Sequence, residues 1–228
     1  MTRPLVTLHF AQSLDGRIGL GPAAQRVILS GEEGVVCAHQ ARGENDAVLV
    51  GIETLLHDDP LLTARGPGAG RPLRVVLDSA LRIPLTARLL APALGAGAVV
   101  VLASAERASA ERRRALVELG ASVALLPADP QGRVSLPEAL RALHERGVRR
   151  LLVEGGARVL TSFLRARLAD RAALEIAPVW LGAEGTPALR ELGVPGIAQA
   201  PRLEQPVLER VGSSFLLRGD IAYPAWSG

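Results

Sequence analysis

The residues best suited to chemistry lie in one run, Leu151-Leu152-Val153-Glu154-Gly155-Gly156-Ala157. A short apolar strand ends in an acid, then in two glycines, then in a helical pattern. Glycines after a strand let backbone N–H groups approach a phosphate closely, and the following helix N-terminus adds partial positive charge. Glu154 would repel that phosphate, so its carboxylate should turn toward a second ligand. The run suggests a phosphate-bearing cofactor on one side and an acid-contacted substrate on the other. Taken without its surroundings it also reads as an ordinary tight turn.

Composition narrows the choices. At 228 residues and 48% hydrophobic content, one large domain is the default, with two small ones possible. No apolar stretch approaches transmembrane length, and Met1-Thr2-Arg3-Pro4-Leu5 does not open a signal peptide. Cys37 is the single cysteine, so no disulfide forms within the chain, and a reducing cytoplasm fits. The sequence pI of about 10.2 accompanies a net charge of only +3, because all 26 basic residues are arginine. Without lysine titrating near pH 10, a small positive charge persists to high pH, so no nucleic-acid partner is expected. Lysine absence also excludes a Schiff-base lysine and a Walker A loop. One cysteine is too few for a zinc nucleobase deaminase. His9, His39, His57 and His144 show no ligand spacing, and no metal is expected.

These side chains need a frame. Residues 5–10, 47–50, 73–77, 98–103, 123–126 and 151–153 are short, nearly continuous apolar runs, as in strands of a sheet covered on both faces. Helical patterns alternate with them. Ser30 and Glu33 form a potential capping box before a helix at 35–42, and Ser135 and Glu138 form another. The second is followed by Leu136, Ala139, Leu140 and Leu143 and a stop at Gly147. Leu160, Phe163, Leu164 and Leu168 mark one face of the helix after the glycines. Residues 172–177, 207–211 and 215–218 read as strands without intervening helices, with Gly212-Ser213 turning the last pair. The expectation is an α/β fold: a mostly parallel central sheet flanked by helices, with antiparallel C-terminal strands. Residues 66–70 and 91–97 read as loops within one domain spanning 1–228.

Several stretches together resemble one family. They are Ser13-Leu14-Asp15-Gly16-Arg17, Asp46-Ala47-Val48-Leu49-Val50-Gly51, and Thr54 followed by Asp58-Asp59-Pro60-Leu61-Leu62-Thr63-Ala64-Arg65. Next come Arg74-Val75-Val76-Leu77-Asp78-Ser79, Glu154-Gly155-Gly156, and Ile176-Ala177-Pro178 before Leu181-Gly182. Their order and spacing resemble the reductase domain of bacterial riboflavin biosynthesis in its stand-alone form, which is similar to dihydrofolate reductase in fold. The resemblance implies a homodimeric, NADPH-dependent pyrimidine reductase without a deaminase domain. Its substrate would be 5-amino-6-(5-phosphoribosylamino)uracil or the non-deaminated diamino-pyrimidinone counterpart.

The resemblance also implies site residues. Gly156, Ala157, Arg158, Val159, Leu160, Thr161 and Ser162 would line the cofactor phosphates, and Ala11, Thr54, Asp58 and Ser79 fall at further cofactor positions. Arg42, Leu62, Arg65 and Glu154 fall at substrate positions. Arginines suit a phosphate clamp, and Glu154 suits hydrogen bonding or proton movement. Arg82 or Arg107 could meet a 2′-phosphate. On their own, Asp58-Asp59-Pro60 and Asp15-Gly16 are turns, Arg42 and Arg65 are surface groups, and Cys37 is a small core residue. Three positions depart from the family pattern: His9 replaces a lysine, Arg26 a serine and Ile28 a tryptophan. Those departures keep two alternatives open, a reductase of a pteridine or other heterocycle and a non-catalytic nucleotide-binding paralogue.

Overall fold

The computed structural model describes residues 2–21, 27–91 and 96–225. Arg26 with the stretch before it, the middle of the 91–97 loop, and Trp226 lie outside the described residues.

The strands are β1 (Leu5–Ser13), β2 (Arg17–Gly19), β3 (Ala47–Gly51), β4 (Leu73–Leu77), β5 (Val99–Ser104), β6 (Ser122–Leu126), β7 (Arg150–Gly155), β8 (Arg171–Ala177), β9 (Thr186–Pro187), β10 (Arg202–Val211) and β11 (Ser214–Ala222). The helices are α1 (Glu32–Gly43), α2 (Ile52–Asp58), α3 (Ala110–Glu118), α4 (Leu136–Glu145) and α5 (Ala157–Arg165). The architecture is the expected one, a mostly parallel sheet with helices and antiparallel C-terminal strands.

The chain divides into two compact units. One comprises residues 39–152 with the first four; the other comprises 5–38 and 153–228. In the first unit β3, β4, β5 and β6 pair in that order, all parallel. Every residue of β3 and of β5 is buried, which is why these runs are apolar throughout and show no alternation. Val48, Val76 and Val101 pack with Leu55, Leu62 and Leu116 in this unit's core.

In the second unit β8 lies parallel to β1, with Ala11 opposite Glu175 and His9 opposite Ala173. β11 lies antiparallel on the other side of β8, and β10 pairs antiparallel with β11. The expected turn at Gly212-Ser213 forms: Gly212 has φ +58°, and Val211 pairs with Ser214. α5 presents an apolar face, burying Leu160 and Phe163. Leu168 lies beyond its end.

Both capping boxes differ from expectation. α1 begins after Gly31, one residue later than Ser30 would set it, and Val35 N donates to Gly31 O. Glu33 reaches the hairpin turn instead; a Cβ at Gly212 would sit 2.4 Å from its Oε2. Ser135 occupies the α4 N-cap but makes no side-chain cap bond, and Glu138 pairs with Arg141 at 2.6 Å. Cys37 is half-buried, not a core residue, because α1 buries only Gly34 among its residues. Among the described residues no helix is long and apolar enough to cross a membrane.

Candidate active site

The glycine junction follows from backbone geometry. β7 ends at Gly155 with φ +94°, and Gly156 caps α5 with φ +74°. Two successive left-handed residues would strain any side chain with a Cβ. At Gly155 a Cβ would also come within 3.0 Å of Leu160 Cγ, so close packing of strand on helix requires glycine there. The first turn of a helix leaves its N–H groups without intrahelical acceptors. α5 has no acidic residue in that turn, and Gly156 offers no capping side chain. The junction therefore fits a phosphate held by backbone N–H groups.

The side chains around it divide by role. Arg158 is exposed, and Val159 and Ser162 are half-buried. Leu160 is fully buried against Gly155. Thr161 Oγ1 donates to Ala157 O at 2.6 Å and accepts from Arg190 N at 2.8 Å, so its hydroxyl is engaged within the protein. Those two side chains hold the helix in place. Glu154 is half-buried on β7.

On β1, His9 and Ala11 share one face, two residues apart. The strand ends in a lock built on Asp15. Ser13 Oγ donates to Asp15 Oδ1 at 2.6 Å, and the N–H groups of Leu181 and Gly182 donate to the same carboxylate at 3.1 and 2.8 Å. These bonds, the Ser13 hydroxyl first, lower the Asp15 pKa to about 2. Gly16, at φ +73°, completes the expected turn. Ile28 is 61% exposed.

The first unit places the other expected residues. Arg42 Nη1 donates to Thr63 O at 3.1 Å, and His39 Nδ1 lies 2.9 Å from the same oxygen. Thr63 follows Leu62, which is buried with φ +53°, and precedes exposed Arg65 by two positions. The structure thus brings Arg42 to the 61–65 segment. Buried Arg74 supports that segment: Nε donates to Gly97 O at 2.8 Å, while Nη1 donates to Leu89 O at 2.8 Å and lies 3.4 Å from Leu61 O. Burial pushes its guanidinium pKa down.

Thr54 lies in the first turn of α2 and Asp58 at its end, where Asp58 pairs with His57 at 2.7 Å. Asp59 caps the helix with φ +40° and accepts from Arg88 N. Ser79 follows β4; its Oγ accepts from Val134 N at 3.0 Å and its carbonyl from Ser104 N at 3.1 Å. Arg82 pairs with Glu53 at 2.5 Å, and Arg107 Nη1 donates to Gly132 O at 3.3 Å. Sequence reasoning missed Arg74 as a brace. It stands in the Arg74–Ser79 motif, but a charged residue second in an apolar strand gave no hint of three distant carbonyl partners.

The fold and the glycine junction define an α/β protein with a helix N-terminus suited to an anion. The chain belongs to the RibD C-terminal domain family, whose model matches residues 4–217. It is 33% identical over 223 residues to the 2,5-diamino-6-ribosylamino-4(3H)-pyrimidinone 5′-phosphate reductase of Archaeoglobus fulgidus, covering 93% of this chain and 96% of the relative. It is 36% identical over 220 residues to the riboflavin biosynthesis protein RibD of Aquifex aeolicus, covering 94% of this chain but 57% of that protein. The structure of Acinetobacter baumannii RibD superposes with a TM-score of 0.83 at 25% identity, covering 97% of this chain and 59% of that one. The chain therefore spans nearly all of one relative and little over half of the other two. The family is one of reductases, which implies a nicotinamide cofactor.

Proposed function

We propose that this chain is an NADPH-dependent reductase of riboflavin biosynthesis. It converts the ribose of a phosphoribosylamino-pyrimidine to the ribitylamino product. The pyrimidine is 5-amino-6-(5-phosphoribosylamino)uracil or its diamino-pyrimidinone counterpart. The observation that carries the reading is the Glu154-Gly155-Gly156 junction, an anion-ready helix start directly after an acid. Near-full-length similarity to a reductase named for the diamino substrate supports it.

In this reading the start of α5, residues 156–158, offers backbone N–H groups to cofactor phosphate, Val159 and Ser162 line it, and Leu160 and Thr161 hold the helix. Ala11, Thr54, Asp58 and Ser79 are further cofactor positions. When bound, NADPH supplies hydride to the C=N carbon of the ring-opened sugar. Glu154 accepts hydrogen bonds from the substrate and assists proton movement. His9 donates a hydrogen bond where the family has lysine. Arg42 and Arg65 bind the substrate phosphate beside Leu62. The chain works as one cytoplasmic reductase domain in a homodimer.

The test is NADPH oxidation with the deaminated and non-deaminated pyrimidines side by side. Turnover of either supports the reading. Tight NADPH binding with no turnover of either would replace it with a nucleotide-binding protein.

A further inference from the structure

The carboxyl ends of β4, β5 and β6 form one hydrogen-bonded rim within the first unit. Ser104 N donates to the carbonyl oxygen of Ser79 at 3.1 Å, Ala105 N to Leu126 O at 2.9 Å, and Val134 N to Ser79 Oγ at 3.0 Å. Asp78 underlies the segment that leaves β4: it is fully buried, and its Oδ2 accepts from Ile83 N at 2.8 Å. Arg112 of α3 braces the same segment, donating to the carbonyl oxygens of Leu81 and Ile83. Open parallel sheets bind ligands outside the carboxyl ends of their strands. This rim carries Ser79 but none of the residues assigned to the substrate or to the phosphates at α5. In the reading above it takes the adenosine half of the cofactor.

The difference between NADPH and NADH lies on that half. A 2′-phosphate calls for a cation, whereas a free 2′-hydroxyl suits a carboxylate acceptor. Three arginines stand on the segments 78–83, 105–109 and 127–135 that leave these strands. Arg82 is paired with Glu53 at 2.5 Å, so a phosphate there would have to share it with a carboxylate. Arg133 is engaged within its own turn, by Asp129 at 2.9 Å and by Gln131 Oε1 at 2.8 Å. Arg107 is exposed and forms no ion pair with the described residues. Its side chain makes one hydrogen bond among them, from Nη1 to Gly132 O at 3.3 Å. That bond sets it against the turn whose Val134 N holds Ser79. The backbone joins the same two residues a second way, because Ser104 donates to Ser79 O and accepts from Arg107 N at 3.2 Å. The acid beside Arg107 is engaged locally. Glu106 Oε2 accepts from the buried Ser104 hydroxyl at 2.5 Å, and that hydroxyl accepts in turn from Glu106 N at 3.2 Å. The carboxylate that would suit a 2′-hydroxyl is thus held, and the unpaired cation of the rim is Arg107.

We infer that Arg107 receives the 2′-phosphate of NADPH beside Ser79 and sets the preference for NADPH over NADH. This inference rests on the NADPH-dependent reductase reading and deepens it.

The experiment measures Kd for NADPH and NADH by fluorescence titration, and for adenosine 2′,5′-bisphosphate by calorimetry, with Tm as the check on folding. It uses the full chain and its Arg107→Ala, Arg107→Gln and Arg82→Ala variants. The wild-type chain should bind NADPH about tenfold or more tightly than NADH. Arg107→Ala and Arg107→Gln should lower that preference by about fivefold to a hundredfold and weaken the bisphosphate in parallel, with NADH Kd and Tm retained. Arg82→Ala should leave the preference within about twofold. A smaller fall in whichever of the two Arg107 variants folds overturns the inference alone. So does an equal fall in Arg82→Ala, or a wild-type preference for NADPH weaker than expected. Binding of neither dinucleotide by the wild-type chain overturns the reductase reading, and the inference with it.

Discussion

Arg42, in the last turn of α1, donates from Nη1 to the carbonyl oxygen of Thr63 at 3.1 Å. That one bond sets an arginine beside a segment whose backbone is already unusual, since Leu62 is buried in a left-handed conformation. A guanidinium presents five N–H donors in a planar fork. A lysine could not reproduce the fork.

This yields the first prediction. Arg42→Lys and Arg65→Lys should each weaken a phosphorylated substrate while leaving NADPH binding intact. Charge-assisted hydrogen bonds are worth about 1.5–3 kcal/mol, so the KM should rise roughly tenfold to a hundredfold. A dephosphorylated ribosyl analogue should react poorly with the wild-type chain and lose little more on mutation. Equal losses on both substrates would leave no phosphate clamp at these arginines.

The glycine junction gives the second. Gly156 has φ +74°, so Gly156→Val combines backbone strain with a branched side chain where backbone must approach phosphate. NADPH affinity measured by fluorescence titration should fall by an order of magnitude or more. Unchanged affinity in a folded variant would remove the phosphate from this site.

Glu154→Gln keeps shape and removes charge. If the side chain serves the substrate, turnover should drop while NADPH affinity stays within about twofold. Parallel loss of both would mark Glu154 as structural.

His9 supplies a fourth comparison. His9→Lys installs the residue that the resemblance implies here and should preserve or raise turnover of the phosphorylated pyrimidine; His9→Ala should lower it more than it lowers Tm. Full activity in His9→Ala would make the position one of packing.

The last prediction is a pH dependence. Asp15 is held near a pKa of about 2, below its ordinary 3.8, by the Ser13 hydroxyl and the Leu181 and Gly182 amides. A depressed acid contributes stability that is full above its unfolded pKa and disappears as pH falls through the folded value. The Asp15 carboxyl carbon should titrate in NMR with a midpoint near that low value. The difference in stability between the wild-type chain and Asp15→Asn should close as pH falls from about 4 to about 2. A midpoint near the ordinary value would mean the lock is absent in solution.

What could be read from the sequence was what local chemistry encodes. β3 and β5 were legible because strands buried on both faces must be apolar throughout. The hairpin at Gly212-Ser213 and the turn at Gly16 were legible because positive φ selects glycine. The β7–α5 junction carried both signals at once. Helices α2 and α3 were not anticipated. α2 follows β3 without a capping side chain, and α3 buries only Leu116, so its charged sequence shows no apolar stripe. Ser30 and Glu33 misled because a capping box is a spacing, whereas the Glu33 carboxylate lies across the fold against Gly212. Long-range partnerships account for the rest. Asp15 was read as a turn residue, yet its two backbone partners stand 166 and 167 residues away.

Arg74 draws three separate stretches of chain onto a single charge: the loop entering β5, the short turn at Leu89, and the 61–65 segment. A shared anchor of this kind makes its tenants report on one another. Nη1 serves both Leu61 O and Leu89 O, so whatever free energy links the two carbonyls acts equally in both directions. The part of the chain assigned to a substrate phosphate therefore shares a buried cation with the turn at buried Leu89. In a protein built without a single lysine, the fork of an arginine has become the junction box.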